Sequence, residues 1–527
     1  MAEPGAGARP AALPARLRQS GLALWRRVEH GLDACCGSAL NPLRQLGAIG
    51  FLCFWLLALS GIVLYAVLDT SADGAYRSID LLSRQPWYLG GWLRSLHRYA
   101  ADAFVISMLA HLLREWLHGR YRGFRRFTWL TGVPLPLLVF VCAIGGFWLN
   151  WDRLGQFSAI ASAEWLDALP LFGSPLTRNF ISVTSVSDRL FSLFVFIHLG
   201  VPLLLVFGLW FHIQRISRAA VFPPVRVAAP VTLALLLALA LPVPSQGPAD
   251  LASVPAAPML DWWLLFVHPL MYATSAATVW LLLGAAVLAL FALPWLGRSV
   301  PAPVARVDPA NCNGCRRCFD DCPYAAITMV PHPNGKFARQ LAQVDSDLCA
   351  GCGICVGSCP SATPFRSAAE LVTGIDMPQL RLDSLRQALQ SRLAAVAGTQ
   401  PILVLGCDNG ARVTALDAAD VTSLSLISTG MLPPSFIEYA LRSGASGVLV
   451  TGCREAGCEF RFGQRWTRER LQGQREPQLR ASVPRQRIEL AWADAGDEQG
   501  LAVALLRLRR RLGIGVPPVF ARETQGG

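Results

Sequence analysis

The sequence predicts a multidomain protein with an all-α membrane bundle of six transmembrane helices, a small α+β domain and a C-terminal open parallel α/β domain. Three observations lead to this fold class. Long apolar stretches recur between residues 48 and 293, and the mean hydropathy of the chain is +0.40. Eight cysteines then follow between Cys312 and Cys359 in two similar runs. From residue 400 onward, short apolar segments alternate with helical ones, which is typical of a parallel sheet.

The N-terminal part alternates apolar stretches with arginine-rich connectors. Residues 1–46 are predicted to be a cytoplasmic segment with an amphipathic helix on the membrane surface. Each of the six apolar stretches that follow is long enough to cross a bilayer as a helix. They are 48–68, 96–117, 129–149, 190–213, 227–244 and 262–293. We therefore expect a multi-pass protein in contact with membrane lipid.

The distribution of arginine predicts how this protein is oriented. The connectors on the N-terminal side of the membrane hold six arginines in 1–46, five in 114–128 and three in 214–226, whereas the opposite connectors hold six in total. Positive residues concentrate on the cytoplasmic side of a membrane protein. The N-terminus and everything beyond the sixth stretch are therefore predicted to be cytoplasmic, in a bacterial inner membrane. Because the net charge of +12 lies beside apolar spans, nucleic-acid binding is not expected.

Two histidine pairs are the most informative residues of the apolar part. His97 and His111 lie in one stretch, and His198 and His212 lie in another, each pair 14 residues apart. Fourteen residues bring a helix back to within about 40° of the same face and raise it by about 21 Å. Two such helices side by side offer two stacked bis-histidine sites. Haem iron suits paired neutral imidazoles in an apolar bundle, so the sequence predicts two b haems.

Glycines repeat the same spacing on the neighbouring stretches. Gly47 and Gly61 lie on the stretch before the first histidines, and Gly132 and Gly146 lie on the stretch after them. A haem edge that packs against a helix requires a missing side chain, which glycine supplies. With GGFWLNWDRLGQ at 145–156, this pattern resembles cytochrome b of the bc-type quinol-oxidising complexes over residues 20–295.

The resemblance implies a division of labour among these residues. His97 and His198 would hold the outer haem, and His111 and His212 would hold the haem on the cytoplasmic side, in a four-helix dihaem core. The core would occupy residues 47–220. Residues 221–296 would then add two further helices and a loop near the quinone site.

That loop resembles the Pro-Glu-Trp-Tyr region of the family, where the glutamate takes protons from quinol. Here the sequence is Leu260, Asp261, Trp262 and Trp263. Asp261 would accept the proton, and the two tryptophans, with His268, would border a quinone pocket. The alternative interpretation is a tryptophan-rich interfacial belt with an ordinary solvated aspartate.

Residues 303–365 contain a repeated cysteine run, each ending in Cys-Pro, which is the signature of a bacterial two-cluster ferredoxin. In this pattern the fourth cysteine of each run serves the cluster of the other run. One 4Fe-4S cluster would be held by Cys312, Cys315, Cys318 and Cys359. The other would be held by Cys349, Cys352, Cys355 and Cys322.

The remaining chain is predicted to contain a linker and helix at 366–399 and an α/β domain at 400–527. Cys407 and Cys453 follow predicted strands, where open parallel sheets place their sites, and Cys458 comes shortly after. The motifs LGC, STGMLPPSFIEYALRSGASGVLVTGC and CREAGC resemble the delta subunit that links hydrogenases or formate dehydrogenases to heterodisulfide reductase, over about 400–512.

That resemblance leaves two interpretations of the domain open. The family carries five cysteines around a 2Fe-2S cluster, but Gly410 and Ser428 stand at two of those positions here. A 2Fe-2S cluster on Cys407, Cys453 and Cys458 would need another ligand, such as Asp408. The alternative is a domain that only docks a partner.

The combined pattern predicts a membrane-bound electron-transfer subunit of a respiratory oxidoreductase complex. Electrons would pass between the quinone pool and a cytoplasmic flavo- or metalloenzyme. Two alternatives remain open: quinol oxidation at the outer face with potential-driven delivery inward, and a non-catalytic redox anchor or sensor. The chain has no CxxCH motif, so a high-potential outlet would be a separate Rieske or cytochrome c chain.

Overall fold

The computed structural model describes residues 13–171, 173–180, 185–252, 258–296, 303–333, 339–367, 369–396 and 400–515. The chain divides into two compact units, which are treated separately below. The first unit is Met1–Gln214 with Ala219–Ser299, and the second is Arg215–Arg218 with Val300–Gly527. Residues 297–302 and 334–338 and both ends of the chain lie outside the described residues.

The described part of the first unit is helical. Its helices are α1 (Leu13–Cys36), α2 (Leu46–Val67), α3 (Ala75–Ser83), α4 (Leu89–Leu117), α5 (Arg126–Gly132), α6 (Pro134–Asn150), α7 (Arg153–Asp167), α8 (Asp188–Ile213), α9 (Val225–Ala238), α10 (Val267–Ala273) and α11 (Ala276–Ala292).

Four segments of the described chain are long and apolar enough to cross a membrane: Leu46–Val67, Gly123–Asn150, Asp188–Ile213 and Ala276–Trp295. The prediction of a helical membrane region is thus confirmed. Helix α4 has 29 residues but carries several charges, and α9 has only 14. The number of six spans therefore stays a prediction.

The predicted last span, 262–293, is wrong as a single helix. Helix α10 ends at Ala273, and α11 begins only at Ala276. The break occurs because Ser275 adopts an extended backbone, and its side chain accepts a hydrogen bond from the amide of Thr278 at 3.0 Å. A serine in this conformation caps a new helix and does not continue an old one.

The core of the first unit lies where α2 packs against α4 and α6 packs against α8. Buried apolar side chains from all four helices meet there, including Cys53, Phe104, Leu135 and Leu205. Outward-facing positions of the same helices carry exposed leucine and isoleucine. Apolar residues on both the inside and the outside are expected of helices that face lipid.

Helix α1 packs against the end of α4, and its predicted position on the membrane surface stays a prediction. Its Glu29 is buried and accepts a hydrogen bond from Arg114 Nε at 2.9 Å and another from Trp25 Nε1 at 2.8 Å. Because Arg114 stands in the last turn of α4, this buried ion pair ties α1 to the end of that helix.

The second unit is a mixture of strands and helices. Its elements are β1 (Arg306–Val307), α12 (Arg317–Asp320), β2 (Ile327–Pro331), β3 (Gln340–Val344), α13 (Ile354–Gly357), β4 (Ile375–Asp376), α14 (Leu382–Ala395), β5 (Ile402–Cys407), β6 (Val421–Leu426), α15 (Ser435–Arg442), β7 (Gly447–Gly452), α16 (Gly463–Leu471), β8 (Ile488–Trp492) and α17 (Glu498–Leu512).

The described strands of the second unit form three sheets. Strands β2 and β3 form one antiparallel pair, and β1 and β4 form another. The four C-terminal strands form one parallel sheet in the order β6-β5-β7-β8. Every residue of β5 and β7 is buried, which is expected of central strands covered on both faces. The predicted parallel α/β region is confirmed.

One apolar core extends from the cysteine-rich segment across α14 to one face of the parallel sheet, and a second core lies between the sheet and α17. The first core includes Ile327 and Cys355 from the cysteine-rich segment, Leu389 from α14, and Leu403 and Phe436 from the α/β part. From the sequence, residues 303–365, 366–399 and 400–527 are predicted to be successive segments of the chain, a ferredoxin-like domain, a linker with a helix and an α/β domain. In the structure, the described residues of these three segments pack together.

Candidate redox centres

The first pair of predicted haem ligands faces each other across the bundle. The ring centres of His97 on α4 and His198 on α8 are 6.3 Å apart, and the ring planes differ by 62°. Two imidazoles that bind one metal ion from opposite sides, each with a metal–nitrogen distance of about 2 Å, have ring centres about 6 Å apart. The spacing therefore fits a bis-histidine metal site.

Hydrogen bonds fix which nitrogen each ring presents. His97 Nδ1 lies 2.9 Å from Ser60 Oγ, whose own hydrogen is donated to the carbonyl oxygen of Leu56 at 2.6 Å. Nδ1 is therefore the donor in that pair. His198 Nδ1 lies 2.9 Å from the carbonyl oxygen of Cys142 and must donate to it as well. Both rings then keep the Nε2 lone pair for a metal, as is usual for ligating histidines.

The second pair repeats the arrangement. The ring centres of His111 and His212 are 6.5 Å apart, with planes differing by 82°. His212 Nδ1 lies 3.5 Å from Thr131 Oγ1, which donates to the carbonyl oxygen of Phe127 at 2.9 Å. Sequence reasoning missed Ser60 and Thr131. The available signal is that each hydroxyl residue directly precedes a glycine of the 14-residue pattern.

All four predicted glycines lie against these imidazoles. The distance from a hypothetical Cβ to the ring carbon Cε1 of the facing histidine measures the space at each glycine. It is 3.6 Å for Gly47 and His111, 3.1 Å for Gly61 and His97, 2.8 Å for Gly132 and His212, and 2.9 Å for Gly146 and His198. A side chain at the last three positions would displace a ring, so the glycines set the position of the histidines.

A large cavity surrounds the first histidine pair. It has an empty volume of about 2410 Å³, including the part that is open to the surroundings, and His97, His198, Gly61 and Gly146 are among its lining residues. Ordinary ligand pockets occupy about 300–1,000 Å³. The cavity and the facing Nε2 atoms fit a haem at this pair.

Asp261, the predicted proton acceptor, lines the same cavity. One of its carboxylate oxygens pairs with Arg98, which also pairs with Asp102 at 2.7 Å. The other oxygen accepts a hydrogen bond from the amide of Leu264 at 2.9 Å. Asp261 is therefore held in place from two directions.

The other residues predicted for the quinone pocket are more scattered. Trp262 is 72% exposed and Trp263 is 43% exposed, and neither is among the residues that line the cavity. His268 is fully buried; its Nε2 lies 3.1 Å from Ser158 Oγ, and its Nδ1 has no hydrogen-bond partner among the described residues. The structure brings only Asp261 close to the predicted haem ligands.

The first predicted cluster site is a cavity between thiols. Cys312, Cys315, Cys318 and Cys359 line a space of about 300 Å³, so the distant fourth cysteine does join the run of three. Burial, and after it the charges of the neighbouring thiols, raises the pKa of Cys318 to about 12. Thiols that oppose each other's ionisation in this way are stabilised as thiolates when they bind metal.

The second site gathers Cys322, Cys349, Cys352 and Cys355. Burial raises the pKa of Cys352 and Cys355, and the nearby thiols of this group raise it further. The amide of Ala326 donates to Cys322 Sγ at 3.3 Å. Among the described residues, no three acidic, histidine or cysteine side chains converge tightly enough to hold a single metal ion. Thiols spaced around a cavity instead fit a larger inorganic cluster.

Three cysteines also converge in the C-terminal part, but the residues around them do not supply the five thiols of the resembled family. A Cβ at Gly410 would lie 3.0 Å from the carbonyl carbon of Gly452 and 3.1 Å from the amide of Cys453, so this position has no room for a side chain. Ser428 Oγ donates to the carbonyl oxygen of Cys352 at 2.8 Å. The Asp408 carboxylate accepts a hydrogen bond from Ser425. We therefore derive no chemistry through a 2Fe-2S cluster.

Comparison with known proteins gives a separate match for each part of the chain. Residues 32–220 match the family model of cytochrome b/b6, residues 311–363 match the 4Fe-4S dicluster domain, and residues 402–513 match the delta subunit of methyl-viologen-reducing hydrogenase. A solved structure described as a hyperthermophilic respiratory Complex III is similar over 48% of this chain and 75% of its own, with 20% sequence identity and a TM-score of 0.37.

The apolar helices, the facing histidines and the clustered cysteines, together with the three family-model matches, support a membrane electron-transfer subunit. More particularly, the chain joins in one polypeptide three regions that match the family models of cytochrome b/b6, of a 4Fe-4S dicluster domain and of a hydrogenase delta subunit. Haem and 4Fe-4S clusters are the cofactors that these regions imply.

Proposed function

We propose that this chain carries electrons between the quinone pool and a cytoplasmic flavo- or metalloenzyme, with two b haems and two 4Fe-4S clusters as carriers. The observation that carries the proposal is the pair of stacked bis-histidine sites, with ring centres 6.3 and 6.5 Å apart. Haem at these sites and clusters at the cysteines would supply reversible one-electron chemistry. Because histidines would fill both axial positions, the sites favour electron transfer over oxygen binding.

The protein's own residues prepare these sites in three ways. Ser60 and the Cys142 carbonyl hold imidazole protons away from the metal position. The glycines let the helices approach until the rings face each other. The 14-residue spacing separates the two sites by about 21 Å along the helices, so one site would serve each side of the membrane.

Asp261 is the proposed proton acceptor for quinol oxidation at the outer face. It lines the cavity that contains His97 and His198, so a quinol in the cavity would reach both a proton acceptor and the first haem site. Arg98 orients the carboxylate, and the adjacent amide holds its second oxygen. Trp262, Trp263 and His268 remain weaker candidates for contacts to the quinone ring.

The position of Asp261 favours one second candidate function. Quinol would be oxidised outside, and the membrane potential would drive electrons inward, with about 2.3 kcal/mol per electron for each 100 mV crossed. A Rieske or cytochrome c chain would then provide any high-potential outlet. A redox anchor or sensor that performs no net transfer is the third candidate.

The C-terminal α/β part is proposed to contact the cytoplasmic partner. Its match to a hydrogenase delta subunit supports a partner that is itself a redox enzyme. The exposed arginines of α16 and α17, which are Arg465, Arg507, Arg510 and Arg511, would suit an acidic partner surface. Under this proposal the N-terminus and the whole second unit are cytoplasmic, and the protein resides in a bacterial inner membrane.

Vesicle experiments can separate the three candidates. Quinol or a cytoplasmic-side reductant is added to sealed vesicles, and haem reduction is followed optically with and without an uncoupler. Inward transfer from quinol predicts that the uncoupler reduces the extent of electron delivery to the clusters. Transfer from the partner to quinone predicts that a reductant on the cytoplasmic side reduces the haems. The uncoupler should leave the rate of this reduction unchanged or increase it. If the haems equilibrate with quinol but no electrons reach the clusters or a partner, only the anchor or sensor function remains.

A matched variant makes the vesicle test specific. Asp261→Asn keeps the size of the side chain but removes its proton acceptor. Quinol-dependent haem reduction should slow in this variant, while reduction by dithionite should be unchanged. Unchanged quinol-dependent rates would contradict the role of Asp261 and leave the electron-transfer function intact.

A further inference from the structure

The cysteines of the C-terminal part form one contiguous thiol group. Strands β5 and β7 are parallel neighbours, with Leu405 opposite Val450. Cys407 is the last residue of β5 and Cys453 follows β7, so both leave the sheet at the same edge. A Cβ at Gly452 would lie 3.2 Å from Cys407 Cβ. Glycine at position 452 therefore allows the ends of β5 and β7 to approach each other.

Cys453 is the centre of the group. Its thiol contacts Cys407 on one side and Cys458 on the other, and its single hydrogen can be donated to either sulfur. The amide of Asn409 donates to Cys407 Sγ at 3.4 Å. The amides of Phe460, Gly463 and Gln464 donate to Cys458. An outer sulfur that accepts this hydrogen is thus favoured as a thiolate, whereas the central thiol stays protonated.

The pKa values follow this arrangement. The hydrogen bond from Cys453, followed in effect by nearby amides, lowers the pKa of Cys458 to about 7. The same kind of hydrogen bond lowers the pKa of Cys407, and contact with both neighbours raises the pKa of Cys453. A thiolate held against a neighbouring sulfur is the arrangement from which disulfides form.

The three thiols also lie beside a predicted cluster site. Ser428 Oγ donates to the carbonyl oxygen of Cys352 at 2.8 Å. A Cβ at Gly463 would lie 3.7 Å from both Ser428 Cβ and Cys458 Sγ. The loop that holds Cys458 and the loop that holds Cys352 are therefore neighbours, with Ser428 and Gly463 between them. The position of Ser428, which replaces a cysteine of the family pattern, links the two loops.

We propose that Cys407, Cys453 and Cys458 form a dithiol/disulfide redox centre in which Cys453 is the shared partner. Closing a sulfur–sulfur bond between Cys453 and one outer cysteine releases two electrons and, from two thiols, two protons. The reverse reaction consumes the same electrons and protons. The inference rests on the proposed function in one respect: the two electrons pass one at a time to the adjacent 4Fe-4S carriers. The centre would couple one-electron carriers to a two-electron partner.

The test maps disulfides in the full-length, detergent-solubilised protein. Samples are equilibrated anaerobically in glutathione redox buffers, alkylated and digested with trypsin. Cleavage after Arg454 separates Cys453 on peptide 443–454 from Cys458 on peptide 455–461, and Cys407 lies on peptide 393–412. Oxidising buffers should yield peptide 443–454 linked to one of the other two, and reducing buffers should yield three alkylated thiols. Complete alkylation of all three under oxidising conditions would overturn the proposal.

Serine variants identify the shared partner. Cys453→Ser should abolish every linkage, whereas Cys407→Ser and Cys458→Ser should each retain one. A linkage between Cys407 and Cys458 in Cys453→Ser would show that Cys453 is not the shared partner. Cys35 and Cys36, both exposed on α1, serve as reporters of unspecific oxidation.

Iron content provides the second readout. It should be unchanged in all three variants, and a loss of two irons per chain would reveal a 2Fe-2S cluster in place of the thiol centre. Peptide mapping involves neither haem nor quinone. A failed vesicle experiment with intact disulfide chemistry would therefore contradict the proposed function alone, and the opposite outcome would contradict this inference alone.

Discussion

The Ser60 hydroxyl and the backbone carbonyl of Leu57 determine which nitrogen of His97 is available to a metal. Ser60 Oγ has already donated its hydrogen to Leu56, so it can only accept from the imidazole. Hydrogen-bonded partners of this kind orient a ligating histidine and strengthen its remaining lone pair. At this scale, the affinity of a site depends on residues that never touch the metal.

Ser60→Ala tests this dependence. The variant removes one of two acceptors of the His97 imidazole and leaves the Leu57 carbonyl. We expect haem affinity at the first pair to fall by about 10-fold, the lower end of the range for such partners, with a shift in that haem's midpoint potential. Haem titration and redox potentiometry measure the two effects. Ser107→Ala is the matched control, because Ser107 is also a buried serine but bonds only to the carbonyl oxygen of Phe104. Equal effects of both changes would assign Ser60 a purely structural role.

His111→Ala addresses the second pair. The change leaves His212 without a facing imidazole, so haem at this pair should be lost while the pair of His97 and His198 keeps its own. Pyridine haemochrome analysis should show a decrease from two haems per chain to one. A wild-type protein with a single haem would contradict the assignment of two sites.

Cys458 should be reactive at neutral pH. Its pKa of about 7 lies below the ordinary value near 9, so its alkylation rate should rise between pH 6 and 8 and then level off. Cys453→Ala removes the hydrogen bond that contributes most to the shift, and the rise should move to higher pH. Mass spectrometry of peptide 455–461 follows both. Cys407→Ala keeps that bond and should leave the profile nearly unchanged.

At the scale of elements, glycines decide how closely the cysteine-rich segment and the α/β part can pack. Gly357, at the end of α13, leaves room for the backbone of Gly430 and for the guanidinium of Arg470. A Cβ at position 357 would overlap with the carbonyl oxygen of Gly430 and lie 2.6 Å from Arg470 Nη1. The contact is therefore one of main chain against main chain.

Gly357→Ala should consequently destabilise the second unit. Overpacking of a close contact costs about 1–3 kcal/mol, and the clash with backbone leaves no flexible side chain to move aside. Thermal loss of the iron–sulfur absorbance measures the effect. Gly515→Ala is the control, since nothing lies within 4 Å of a Cβ at that position. Equal thermal stability of the two variants would contradict the packing argument.

The spacing of histidines and cysteines could be predicted from the sequence because helix geometry and cluster ligation impose fixed intervals. The roles of Ser60 and Thr131 could not, since hydroxyl residues are common in apolar helices and only the fold places these two beside a ring. The break at Ser275 was missed because the residues on both sides are equally apolar. The absence of space at Gly410 depends on backbone from a distant strand.

At the scale of the whole molecule, a buried charge network holds the second unit together. Arg470 is fully buried and donates to Asp321 at 2.5 Å, to Ser358 Oγ at 2.7 Å and to the carbonyl oxygen of Gly430 at 2.8 Å. Asp321 directly precedes a predicted cluster ligand, Cys322. The α/β part thereby supports the cysteine-rich segment in addition to any contact with a partner.

Asp321→Asn should show the strength of this support. Removing one member of a buried ion pair leaves the other charge uncompensated and costs about 3–5 kcal/mol. We expect a lower temperature for loss of the iron–sulfur absorbance and a lower iron content after purification. Glu370→Gln, which disrupts the exposed pair with Arg381, should change neither. Full iron retention in Asp321→Asn would show that the cysteine-rich segment does not depend on this contact with the α/β part.

The hydroxyl that precedes a pattern glycine has a consequence for the bundle as a whole. The pair α2 and α4 and the pair formed by α5–α6 and α8 are pseudo-twofold copies, since each supplies one glycine and one histidine to each site. The hydroxyls break this symmetry diagonally: Ser60 of the first copy serves His97, and Thr131 of the second copy serves His212. Two equivalent sites would give an electron no preferred direction. Positions such as these, where the copies differ beside a histidine, are therefore where a bias between two haems would originate.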